Sequence, residues 1–105
     1  MEMLMDRWKS LEDKIEYPDE GVLSKELFKT GNSNVSLFCM AAGSGIDDHT
    51  SARAGTVQVL EGDGTFRLDG EDIQMKPGVL IYMEKNALHR LSANERTCFL
   101  LTLHS

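Results

Sequence analysis

No apolar run in this 105-residue chain approaches the ~20 residues that a membrane-spanning helix needs, so no membrane partner is expected. The opening residues, Met1-Glu2-Met3-Leu4-Met5-Asp6, lack the basic-then-apolar order of a secretion signal, which points to the cytoplasm. A basic stripe is missing too. The 11 Lys and Arg are scattered among 17 acids for a net charge of -6, and without clustered cations nothing tracks a phosphate backbone, so nucleic acid is not an expected partner. Cysteine is scarce: Cys39 and Cys98 each sit inside an apolar run with no second thiol nearby. That suits buried thiols in a reducing compartment, with a disulfide between them left as the alternative. There is no glycine-rich phosphate loop between a strand and a helix, no Ser or Cys set in a nucleophile elbow, no internal repeat and no low-complexity segment.

What is present fits one modest domain. Hydrophobic residues make up 41% and charged residues 27%, near globular averages, and a chain of this length buries roughly 60 to 70% of its unfolded surface. Leu4, Trp8, Leu11 and Ile15 recur at helical spacing with charged residues between them, which predicts a short amphipathic helix. It ends before Tyr17-Pro18-Asp19-Glu20-Gly21, so residues 1–21 are read as helix and linker and residues 22–105 as the folded domain. From Val22 the period changes to short strand-like runs: 22–29, 35–42, 56–61, 65–68, 72–76, 79–83, 87–92 and 97–103. Turn residues separate them, among them Asp69-Gly70, whose order favours a type I′ hairpin. Short strands, tight turns and no intervening helices predict an all-β, antiparallel jelly-roll barrel. The apolar run from Cys98 to Leu103 predicts a strand buried on both faces, so one sheet packs on something besides its own core.

Here the chain resembles the cupin family. Gly43, five residues, His49, Thr50, Ser51, three residues, Gly55, six residues and Gly62 follow the spacing of the first cupin motif, with Ser51 in place of the second His and Gly55 in place of the Glu. Gly78 and His89 keep the leading Gly and the His of the second motif, while Glu84, Asn86 and Ala93 depart from it. The resemblance implies a double-stranded β-helix and, in complete members, a metal held by three residues of the first motif and the His of the second. The metal is usually iron, manganese, nickel or zinc. Of those four ligands only His49 and His89 survive, fewer than the three protein ligands a catalytic metal generally needs.

Alternation places His49 and Ser51 on one side of an extended segment, and Val57, Val59, His89 and Leu91 toward the same interior. These six residues form the expected ligand pocket, an apolar cup with polar groups at one end. The two histidines either contact a bound small organic molecule, which with an unperturbed pKa near 6.5 would be acidic or hydrogen-bonding, or hold the pocket closed by bonding Ser51 or a backbone carbonyl. Asp47, two residues before His49, is a candidate third ligand beside His49 and His89 for a weakly bound divalent metal; the other reading makes Asp47 and Asp48 solvated turn residues. His104, near the C-terminus, is a weaker candidate. Three functions stay open: a binding module with no complete metal site, a metal-dependent dioxygenase or isomerase, and metal-free acid–base catalysis. The last follows from the resemblance, since dTDP-sugar epimerases share the fold and use a His with a Tyr; here His49 would work with Asp47 or Asp48 and with Tyr82. Gln58 lies on the opposite face of its strand, where a partner subunit of a homodimer would cover it.

Overall fold

A computed structural model of the chain describes residues 7–105. One helical turn, α1 (Leu11–Lys14), precedes nine strands: β1 (Val22–Lys29), β2 (Ser33–Met40), β3 (Gly45–His49), β4 (Gly55–Glu61), β5 (Gly64–Leu68), β6 (Glu71–Met75), β7 (Leu80–Met83), β8 (His89–Ala93) and β9 (Thr97–His104). They form a five-stranded sheet in the order β1-β2-β9-β4-β7 and a four-stranded sheet in the order β3-β8-β5-β6. Every pairing is antiparallel, as the jelly-roll expectation requires.

The two sheets close on a core of apolar residues drawn from alternate positions. Val57 and Val59 of β4, Phe66 of β5, Leu91 and Ala93 of β8 and Phe99 of β9 are all buried in it with four other side chains, as the period of two demands. Phe38 of β2 and Phe99 of β9 are register partners, and their rings stack with centroids 5.0 Å apart. Asp69 and Gly70 join β5 to β6 with φ of 47° and 87°, the two positive values of a type I′ turn.

A second, smaller core lies on the other face of the five-stranded sheet. Leu37, Cys39 and Cys98 are fully buried there, with Ile15, Tyr17, Leu27, Leu60 and Leu100 against them. Within the apolar run from Cys98 to Leu103, β9 is thus buried on both faces only at Cys98 and Phe99, while residues 100–103 are half-buried, and over Cys98 the second cover comes from this chain's own N-terminal segment. Cys39 and Cys98 are register partners and both are free thiols.

Two local expectations are corrected. The helix spans only Leu11–Lys14 and buries no residue; Trp8 is 77% exposed, and Leu4 lies outside the described residues. One turn is too short to hold itself together, and no side chain caps it at Ser10. Ile15 leaves it in an extended conformation, so that the segment packs on the sheet as a strap. The second correction is β3: Asp47 and Asp48 belong to a strand, not to a turn. Gly-Ile-Asp-Asp-His carries little intrinsic strand preference, and pairing with β8 imposes the conformation.

The outer core is expected to be as important to stability as a core position and unlike the exposed apolar residues. Leu37→Ala should cost about 2–5 kcal/mol in urea unfolding, whereas Leu80→Ala, at a position 66% exposed, should change stability by less than about 0.5 kcal/mol. Equal losses would show that the strap does not seal a core.

Candidate functional site

His49 ends β3 and His89 begins β8, and the two are direct cross-strand partners. That pairing, with both rings directed to the interior, brings their centroids to 4.0 Å, the closeness expected of side chains facing each other across an antiparallel pair. His89 is buried and its ring lies parallel to that of Phe66, centroids 5.7 Å apart. His49 is exposed and forms the solvent side of the pair. The hairpin turn holds the entrance to β8 in place, because Leu88 N–H donates to the Asp69 carboxylate at 3.0 Å and Asp69 N–H donates to the Leu88 carbonyl at 2.8 Å.

Each imidazole is fixed by its own backbone. Nδ1 of His49 lies 2.8 Å from the Asp47 carbonyl, and Nδ1 of His89 lies 3.0 Å from the Ala87 carbonyl. A carbonyl only accepts, so Nδ1 carries the proton in both rings, and in the neutral form each Nε2 is left with a bare lone pair. Burial pushes the His89 pKa below 6.5; the Ala87 carbonyl opposes the shift, the facing His49 adds to it, and Asp69 opposes it. Both rings thus bond backbone carbonyls two residues back on their own segments, and neither bonds Ser51.

The pair opens onto a cavity of about 50 Å³ lined by His49, Val57, His89 and Leu91 together with Phe38, Ile46, Phe66, Met83, Phe99 and Leu101. This is room for a few water-sized groups, not for a whole drug-sized ligand. The aromatic lining was not read from the sequence, although the alternation that placed Val57 and Leu91 also operates on β2, β5 and β9.

The remaining expected residues lie elsewhere. Val59 is buried deeper in the core. Ser51 is half-buried just before a bend at Ala52 and Arg53; its Oγ accepts from Arg53 N–H at 3.1 Å and its carbonyl accepts from Asn86 N–H at 2.6 Å. Asp47 lines a cleft on the outer face of the four-stranded sheet, and Asp48 lines a second one beside it. The cause is a bulge between Ile46 and His49: an extra residue breaks the alternation, so Asp47 and His49 do not share a face. Tyr82 points away from the histidines and is 59% exposed, and His104 is exposed at the end of β9.

These positions test the metal that the family pattern implies. Asp47 faces outward, Ser51 caps a backbone N–H, and at Gly55 a Cβ would stand 2.2 Å from the Thr102 carbonyl oxygen, so no side chain fits there. Among the described residues no group of three or more His, Cys, Asp or Glu is placed to hold a metal ion. The donor set does not fit.

The cupin domain family matches residues 36–103. Among solved structures, a conserved protein of unknown function from Streptococcus pyogenes superposes with a TM-score of 0.84 at 22% identity, over 98% of this chain and 90% of that one. An RmlC-like cupin from Desulfovibrio desulfuricans gives 0.82 at 22% identity, over 96% and 97%, and KdgF from Halomonas sp. gives 0.78 at 17%, over 88% and 87%. At these identities the likeness concerns the fold. No curated protein matches the chain. Among the described residues no helix is long and apolar enough to cross a membrane.

The depressed His89 pKa makes stability depend on pH in one direction. The folded chain resists protonation there, so as pH falls through 6.5 the unfolded chain takes up the proton first and stability is lost. The urea midpoint should drop between about pH 7.5 and 5.5, and His89→Gln should shrink that drop. An identical drop in both proteins would mean that another group titrates.

Proposed function

We propose, from the premise that this chain belongs to the cupin family, that it is a binding module which takes a small organic molecule at the histidine pair, with no resident metal. One observation carries the reading: both Nδ1 atoms are tied to backbone carbonyls, so in the neutral form each Nε2 is an acceptor on a ring that lines the apolar cup. Such a site favours a ligand that donates a hydrogen bond. An acidic ligand, the alternative the sequence allowed, would arrive as an anion and, with both rings in the neutral form, meet two acceptors. With about 50 Å³ inside, the ligand inserts one donor group past His49 while the rest of it stays at the mouth. The buried free thiols suit a reducing compartment such as the cytoplasm.

Phenol, an apolar ring with one O–H donor, serves as the probe. It should shift the Nε2 resonances of His49 and His89 saturably and raise the thermal midpoint, and His89→Gln should abolish both effects. Protein purified without chelator should carry well under one metal ion per chain. Near-stoichiometric iron, manganese, nickel or zinc that disappears in His49→Ala would overturn this reading in favour of a metal-dependent cupin enzyme.

We propose a homodimer from a different surface. Leu80 and Tyr82 of the edge strand β7 are exposed large hydrophobics, and they stand in register with Gln58 and Thr56 of β4. A second copy packed over this half of the sheet would cover them. Light scattering should report a dimer at micromolar concentration, and Leu80→Asp should return the monomer; a monomeric parent protein would remove the proposal.

A further inference from the structure

The ligand-sized space on this molecule lies outside the barrel. A cleft of about 440 Å³ runs across the outer face of the four-stranded sheet, within the range usual for small-molecule sites and far larger than the interior cavity of about 50 Å³. Its floor is made by two cross-strand pairs: Thr65 opposite Ser92, and Arg67 opposite Arg90. Since these positions are two apart on each strand, all four side chains leave the same face. The arginine pair also borders the neighbouring cleft that contains Asp48, Gly70 and Leu88.

Like charges directly opposite on paired strands are unfavourable. Arg67 is partly relieved by Asp72, which accepts from its Nη1 at 2.9 Å. Arg90 is exposed and makes no hydrogen bond or ion pair among the described residues. Four donor side chains of one patch therefore share a single carboxylate partner. We propose that this face binds a small oxyanion, a carboxylate or phosphate group, bridged by the Arg67 and Arg90 guanidinium groups, with the Thr65 and Ser92 hydroxyls as further donors. The planar guanidinium fork suits both oxyanions. Asp47 and Asp72 also line the cleft; they repel extended polyanions and admit a single small anion, in keeping with the net charge of -6. This site is separate from the histidine pair, and it depends on neither the ligand nor the metal state proposed there.

The test is an NMR titration of the full-length protein with inorganic phosphate and, separately, with acetate, at low ionic strength so that screening does not hide an exposed site. Saturable shifts at the Arg67 and Arg90 Nε–Hε resonances are expected. Arg90→Gln should weaken the apparent affinity about tenfold or more, the loss typical of a charge-assisted hydrogen bond, and Arg90→Lys should fall between the two because it lacks the fork. Asp47→Asn should strengthen binding, and His89→Gln should leave it unchanged. Saturation by phosphate alone assigns a phosphate-bearing ligand, by acetate alone a carboxylate, and by both the shared oxyanion chemistry. A non-saturating drift with either salt, equal in the parent and Arg90→Gln, would be surface screening and would overturn the proposal.

Discussion

The seam of β2, β9 and β4 holds both cores of the molecule at once. β9 is paired along its length with β2 on one side and with β4 on the other. Its alternate residues serve opposite faces: Phe99 and Leu101 enter the interior, while Cys98 and Leu100 enter the outer core under Ile15 and Tyr17. Each large apolar side chain buried this way contributes roughly 1.5–3 kcal/mol. Thr97, fully buried at the start of the strand, holds the register by hydrogen-bonding the loop at Asp63 in both directions. The strap is bound chemically as well as by packing, since the Tyr17 hydroxyl donates to Glu61 at 2.5 Å and Arg96 lies over its ring. Burial and the Glu61 carboxylate raise the Tyr17 pKa, which keeps that proton in place.

The strand pattern was largely legible because alternation, turn glycines and the Asp69-Gly70 pair are local signals. β1 occupies the residues that its pattern marked, and most other strands differ at their ends by one or two residues. β3 was not legible, since its conformation is imposed by β8 and its own residues argue for a turn. The helix was over-read for the opposite reason: the spacing of Trp8, Leu11 and Ile15 is helical, but the surface that receives Ile15 is a sheet on which an extended strap packs better.

Site residues followed the same division. Val57, His89 and Leu91 reach one cavity because period two is regular on β4 and β8, and His49 joins them as the cross-strand partner of His89. Asp47 was misplaced by a single bulge, which no residue pattern announces. That bulge turns His49 inward beside His89 and turns both aspartates outward toward Arg67 and Arg90. It thereby divides the two imidazole rings, which line the interior cavity, from the charged side chains, which stay in water, where their hydration need not be given up.

The close backbone contact at Gly55 limits how this barrel could be remade. Restoring the family carboxylate at that position would require β4 and β9 to separate, because Thr102 occupies the space where the side chain must begin. The register offers a different route. Met83 stands directly opposite Gly55 on β7 and already lines the cavity with both histidines, so an engineered third ligand would enter from β7, through Met83→Glu, and leave the seam intact.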